Sequence, residues 1–82
     1  MLFKSLEFKN DNGQKVKITE IPVLEEDSTF HFMISTRLER FIKTVYTESR
    51  AASYSFREHL KKELKWPVYQ KLFKKHELKN NA

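Results

Sequence analysis

The chain has one glycine in 82 residues, and that glycine closes the run Asn10-Asp11-Asn12-Gly13. Such a cluster between two alternating segments is a strong hairpin signal, because Asn, Asp and Gly supply turn conformations that other residues resist. Upstream, Leu2, Leu6 and Phe8 share one phase of a period-two pattern, with Ser5, Glu7 and Lys9 in the other. Downstream, Val16 and Ile18 are expected to point inward, and Lys15, Lys17 and Thr19 outward. Pro22 then ends the second strand or marks it as an edge. The same scarcity of glycine excludes the Walker and dinucleotide phosphate loops, which need several.

Beyond an acidic connector at 22–28, residues 29–35 (Thr-Phe-His-Phe-Met-Ile-Ser) alternate again. Phe30, Phe32 and Ile34 share one phase, with His31 and Met33 opposed, which predicts a third strand and a meander. The period changes at Thr36. Thr36 and Glu39 form a capping box, and Leu38, Phe41, Ile42, Val45 and Tyr46 succeed it at helical spacing. A second capping box, Ser55 to Glu58, precedes the stripe Phe56, Leu60 and Leu64. Trp66-Pro67 is a third start signal, and Tyr69, Leu72, Phe73 and His76 share one face of the helix it opens.

No Gly or Pro interrupts residues 37–65, and a continuous helix there would run about 43 Å, against about 30 Å for a small domain. A break near residues 49–55 is therefore expected. The predicted fold is α+β, a three-stranded antiparallel meander followed by two or three α-helices packed on one sheet face. It forms one domain over residues 1–82, with 79–82 frayed.

The formal charge of +5 is uneven. Residues 1–27 hold four Lys/Arg against six Asp/Glu, whereas residues 56–82 hold eight against three. A basic C-terminal face suits either nucleic acid or an acidic protein. Lysine supplies twelve of the sixteen basic residues, and Asn and Phe are plentiful. That is the bias expected of an AT-rich genome, of a bacterium or its phage, so codon supply accounts for the basicity as readily as a binding partner does. It also disfavours base-edge readout, in which arginine leads.

Catalysis and cofactors find little support. Cysteine is absent, so disulfides and thiolate metal sites are excluded. His31, His59 and His76 form no i, i+4 ligand pair, and Glu25, Glu26 and Asp27 lie consecutively, as in a solvated loop. No metal and no small-molecule cofactor are expected. No stretch approaches the roughly 18 apolar residues of a membrane span, and charges interrupt the N-terminus where a secretory signal needs an apolar run. A cytoplasmic protein is expected.

Residues 30–64, a predicted strand followed by two capped helices, resemble the ribbon-helix-helix repressors. That resemblance implies His31, Met33 and Ser35 facing a DNA major groove. The chain departs from the pattern in having no glycine between the helices and a hairpin before the strand. It is not placed in that family.

The sequence reading is a small, non-enzymatic regulatory or accessory protein that acts by protein–protein binding, with a protein partner or a homodimer. Its candidate surface is Tyr54, Trp66 and Tyr69 with a basic rim of Arg57 and Lys61, since large amphipathic side chains and Arg concentrate at interface centres. The alternative is nucleic-acid binding through Arg57, Lys61, Lys65, Lys71, Lys74 and Lys75.

Overall fold

A computed structural model describes the backbone of residues 2–48 and 50–81, and side chains as far as Lys75. The elements are β1 (Leu2–Lys9), β2 (Lys15–Val23), α1 (Thr29–Glu48), β3 (Ser53–Ser55), α2 (Phe56–Leu64) and α3 (Trp66–Asn81). The fold is α+β, with strand order β1-β2-β3.

The hairpin forms where the sequence placed it. Asn10 is buried in the turn, and its side-chain oxygen accepts from the backbone N–H of Asn12 (3.0 Å) and of Gln14 (2.9 Å). Gly13 adopts φ +76°, a conformation open to glycine at no steric cost. The Asp11 N–H donates to the Tyr46 carbonyl at 3.1 Å, so the turn also satisfies one of the free carbonyls at the end of α1.

The β1–β2 ladder is antiparallel but changes register between Lys4 and Leu6. Lys4 pairs with Ile21 and Leu6 with Ile18, so Thr19 and Glu20 together oppose Ser5. This is a β-bulge with Glu20 at φ +56°. Burial on β2 accordingly moves from Val16 and Ile18 to Ile21. Pro22 lies where β2 has β1 as its neighbour but has passed the end of β3, so its missing N–H breaks no ladder bond.

Two corrections concern residues 29–36. The predicted third strand is the first turns of α1, and the helix begins at Thr29 with Ser28 as its N-cap, not at Thr36. The Ser28 hydroxyl accepts from the His31 N–H at 2.9 Å, as an N-cap does. Thr36 is inside the helix, and its hydroxyl donates back to the Phe32 carbonyl at 2.9 Å. Phe30 and Ile34 satisfy both periods, because i and i+4 coincide in phase for a strand and nearly so for a helix. Phe32, which only the strand pattern buries, is 73% exposed. His31 is half-buried on the helix instead of lying on a sheet face.

The sheet is mixed, not an antiparallel meander. The third strand is Ser53–Ser55, and it runs parallel to β2, with Lys17, Ile18 and Thr19 facing Ser53, Tyr54 and Ser55. A parallel return needs a crossover connection, and α1 supplies it. The Lys17 N–H donates to Ala52 O (3.0 Å) and the Thr19 hydroxyl to Tyr54 O (3.3 Å). Within the expected break, residues 53–55 form a short strand. Without a strand at 30–35, the ribbon of the ribbon-helix-helix pattern is absent from its expected place.

The core gathers Ile18, Ile21, Leu24, Phe30, Ile34, Phe56, Leu60, Tyr69 and Phe73. Tyr69 and Phe73 lie 4.2 Å apart by ring centroids, and Phe30 meets Phe73 edge-on at 5.5 Å. The final helix closes this core, with Leu72 half-buried and Lys71, Lys74 and Lys75 facing water. Its backbone remains helical to Asn81, including 79–81; Ala82 and the His76 side chain lie outside the described residues. Leu2 and Leu6, expected inside, are exposed, and Phe8 is half-buried against Tyr46 at 5.8 Å.

Candidate functional site

The bulge in β2 and the start of α2 meet at one group of side chains. Ser55 is the N-cap of α2 and accepts from the Glu58 N–H at 3.2 Å. Its hydroxyl donates to Glu20 Oε2 at 2.6 Å, so the bulge and the cap are held by one short charge-assisted bond. Two residues on, Arg57 brings Nη1 within 3.9 Å of Glu20 Oε1 and stands 5.7 Å from the Phe3 ring centroid. Carboxylate, guanidinium and aromatic ring thus form one stack at the open end of the hairpin.

A second cation–aromatic pair lies further along α2. The Lys61 ammonium is 4.8 Å from the Trp66 ring centroid and 3.1 Å from Glu58 Oε1. Trp66 occupies the first position of α3, after Lys65 ends α2 at φ +60°. It stacks on Tyr69 at 5.9 Å and remains 50% exposed. Two aromatic rings, Phe3 and Trp66, therefore each show an open side to solvent while a cation covers part of the other.

Tyr69 connects the two pairs from beneath. It is 1% exposed, and the Arg57 guanidinium lies beside its hydroxyl. Burial pushes the Tyr69 phenol above its ordinary value of 10.0, with the neighbouring Arg57 guanidinium acting in the opposite sense.

Of the five residues expected from the sequence to bind a protein, the structure brings Arg57, Lys61 and Trp66 to this surface. Tyr69 lies beneath it, buried in the core with Trp66 stacked on its ring. Tyr54 belongs elsewhere. Its hydroxyl accepts from the N–H groups of Arg50 (3.1 Å) and Ala51 (2.9 Å), and its ring meets Phe41 edge-on. It is half-buried and serves to hold the turn before β3.

Tyr54 also lines an open cleft of about 390 Å³ with Phe41, Ser53, Ser55, His59 and Lys62. His59 stacks on Phe41 at 4.2 Å and lies 2.8 Å from Glu63, which also meets Arg37 of α1 at 3.3 Å. That triad clamps α1 to α2. Among the described residues no group of three or more His, Cys, Asp or Glu is placed to hold a metal ion. No described helix is long and apolar enough to cross a membrane.

The six-residue basic row does not form one continuous helical line. Arg57 and Lys61 share α2 but are already engaged by Glu20 and Glu58. Lys65 falls at the junction of the two helices, and Lys71, Lys74 and Lys75 are exposed on α3. Sequence reasoning missed Glu20 altogether. Its only trace was the move of apolar positions from Val16 and Ile18 to Ile21, which breaks an even alternation.

The chain is 49% identical over 83 aligned positions to a Bacillus subtilis (strain 168) protein described as "Uncharacterized protein YpmP", with all of both chains covered. No solved structure matches it. The match to the family described as "Protein of unknown function (DUF2535)" runs over residues 1–82, and the chain belongs to that family.

Proposed function

We propose that the protein is a small accessory or regulatory protein, without catalysis, that binds a partner protein through the surface of Phe3, Arg57, Lys61 and Trp66. The observation that carries this reading is Trp66, half-exposed, braced by Lys61 on its ring and by buried Tyr69 behind. A tryptophan held in one orientation loses little freedom on docking, and such residues dominate binding energy when a partner covers them.

The test is affinity capture with the wild-type chain beside Trp66→Ala and Lys61→Glu, each variant checked by a melting curve. The reading predicts a protein retained by the wild type and lost from both variants at unchanged fold. Retention by all three sinks it. A parallel anisotropy titration with DNA and RNA at about 50 and 200 mM salt addresses the basic face. Binding that survives the higher salt and disappears on charge reversal of Lys71, Lys74 and Lys75 would transfer the function to nucleic acid.

A further inference from the structure

The hairpin presents a second surface, which shares Phe3 with the first but not Trp66. β1 is an edge strand of eight residues with no proline, and every residue of it except Phe8 is exposed. Leu2 is 75% exposed, Phe3 and Leu6 are open as well, and Val23 lies directly across from Leu2. Long apolar edges are templates for another strand, and proteins usually blunt them. Here the bulge belongs to β2, and β1 itself runs without an extra residue.

We propose that β1 pairs antiparallel with β1 of a second copy, centred on Leu6, joining two three-stranded sheets into one of six. The side-chain sequence argues for a second copy over an unlike strand. In an antiparallel pair related by a two-fold axis normal to the sheet, a residue or its near neighbour must face itself, so faces are conserved across the join. Centring on Leu6 sets Leu6 against Leu6, Lys4 against Phe8, Ser5 against Glu7 and Phe3 against Lys9.

Each of these pairs is favourable or neutral. Lys4 and Lys9 meet aromatic rings, the Ser5 hydroxyl donates to a carboxylate, and no like charges stand directly opposite. On the diagonals, Leu6 reaches Phe8 and Phe8 reaches Leu2 of the other chain, so the apolar face of the hairpin continues across the axis. Glu7 meets its own copy only diagonally, and each Glu7 already has Lys15 at 3.6 Å. Lys4, which in a lone monomer would guard the edge, thereby becomes part of the contact.

The absence of cysteine makes the arrangement directly testable. Directly opposed residues of an antiparallel pair have Cα atoms about 4.5–5.5 Å apart, within the range of about 4.4–6.8 Å that a disulfide spans. The Leu6→Cys variant should form an intermolecular disulfide under mild oxidation, faster than Leu2→Cys. Random collision would favour the more exposed Leu2 instead. Sedimentation of the cysteine-free wild type should show a dimer forming between micromolar and millimolar protein. Leu6→Lys sets two ammonium groups opposite one another and should stay monomeric with an unchanged far-UV spectrum. A wild type that is monomeric throughout, cross-linking of Leu2→Cys ahead of Leu6→Cys, or a Leu6→Lys variant that still dimerises would each overturn the proposal.

Discussion

Tyr69 is an unusual core residue because its hydroxyl is buried beside the Arg57 guanidinium. Burying a hydroxyl costs about 1–3 kcal/mol and its contact with Arg57 offsets part of that, so Tyr69→Phe should change stability little near neutral pH. The pH dependence gives a sharper test. Burial raises the phenol pKa above 10.0, so below that value the group is neutral in both folded and unfolded chains and its contribution is fully present. As pH rises past it, the unfolded chain loses the proton first, and stability falls until the raised native value is passed. Urea midpoints at stepped pH should show Tyr69→Phe gaining on the wild type above pH 10; parallel curves would remove burial as the cause. Glu20 carries the opposite lesson about legibility. Its role rests on a backbone angle and on Ser55 and Arg57, which lie far along the chain, and no local pattern announces either.

The elements were legible where a local hydrogen bond decides them and misread where two periods coincide. Asn10 and Gly13 make their turn alone, and Ser55 caps its helix by reaching only three residues ahead. Over 29–36 the apolar residues fit a strand as well as a helix, and Thr36 imitates a cap within a helix already under way. The two serine and threonine positions therefore predict effects of opposite sign. Ser28→Ala should cost about 1 kcal/mol, the usual value of an N-cap, and lower the melting temperature by several degrees. Thr36→Ala replaces a poor helix former by the best one and should raise it slightly. Thermal melts of the pair decide this; a loss at Thr36→Ala with none at Ser28→Ala would return the helix start to Thr36. The candidate surface was legible for the same reason in part. Arg57, Lys61 and Trp66 derive from the two helix starts, whereas Phe3 joins them through a contact between distant parts of the chain.

At the scale of the whole molecule, the class α+β was readable, but the direction of the third strand was not. That direction depends on what lies between β2 and its neighbour, and one misassigned segment reversed it. The parallel pairing also sets an order of events. The hairpin joins neighbours in sequence, and α1 is a local structure, so both can form early. Ser53–Ser55 can reach β2 only after the intervening chain has been organised, and only then do Glu20 and Ser55 meet. Ser55→Ala should therefore raise the unfolding rate roughly fivefold for a loss of about 1 kcal/mol, with little change in the folding rate. Stopped-flow traces showing slower folding instead would place that contact in the nucleus. A single hydrogen bond between a bulge and a cap thus acts as the last latch to close on the pathway and the first to open when the molecule comes apart.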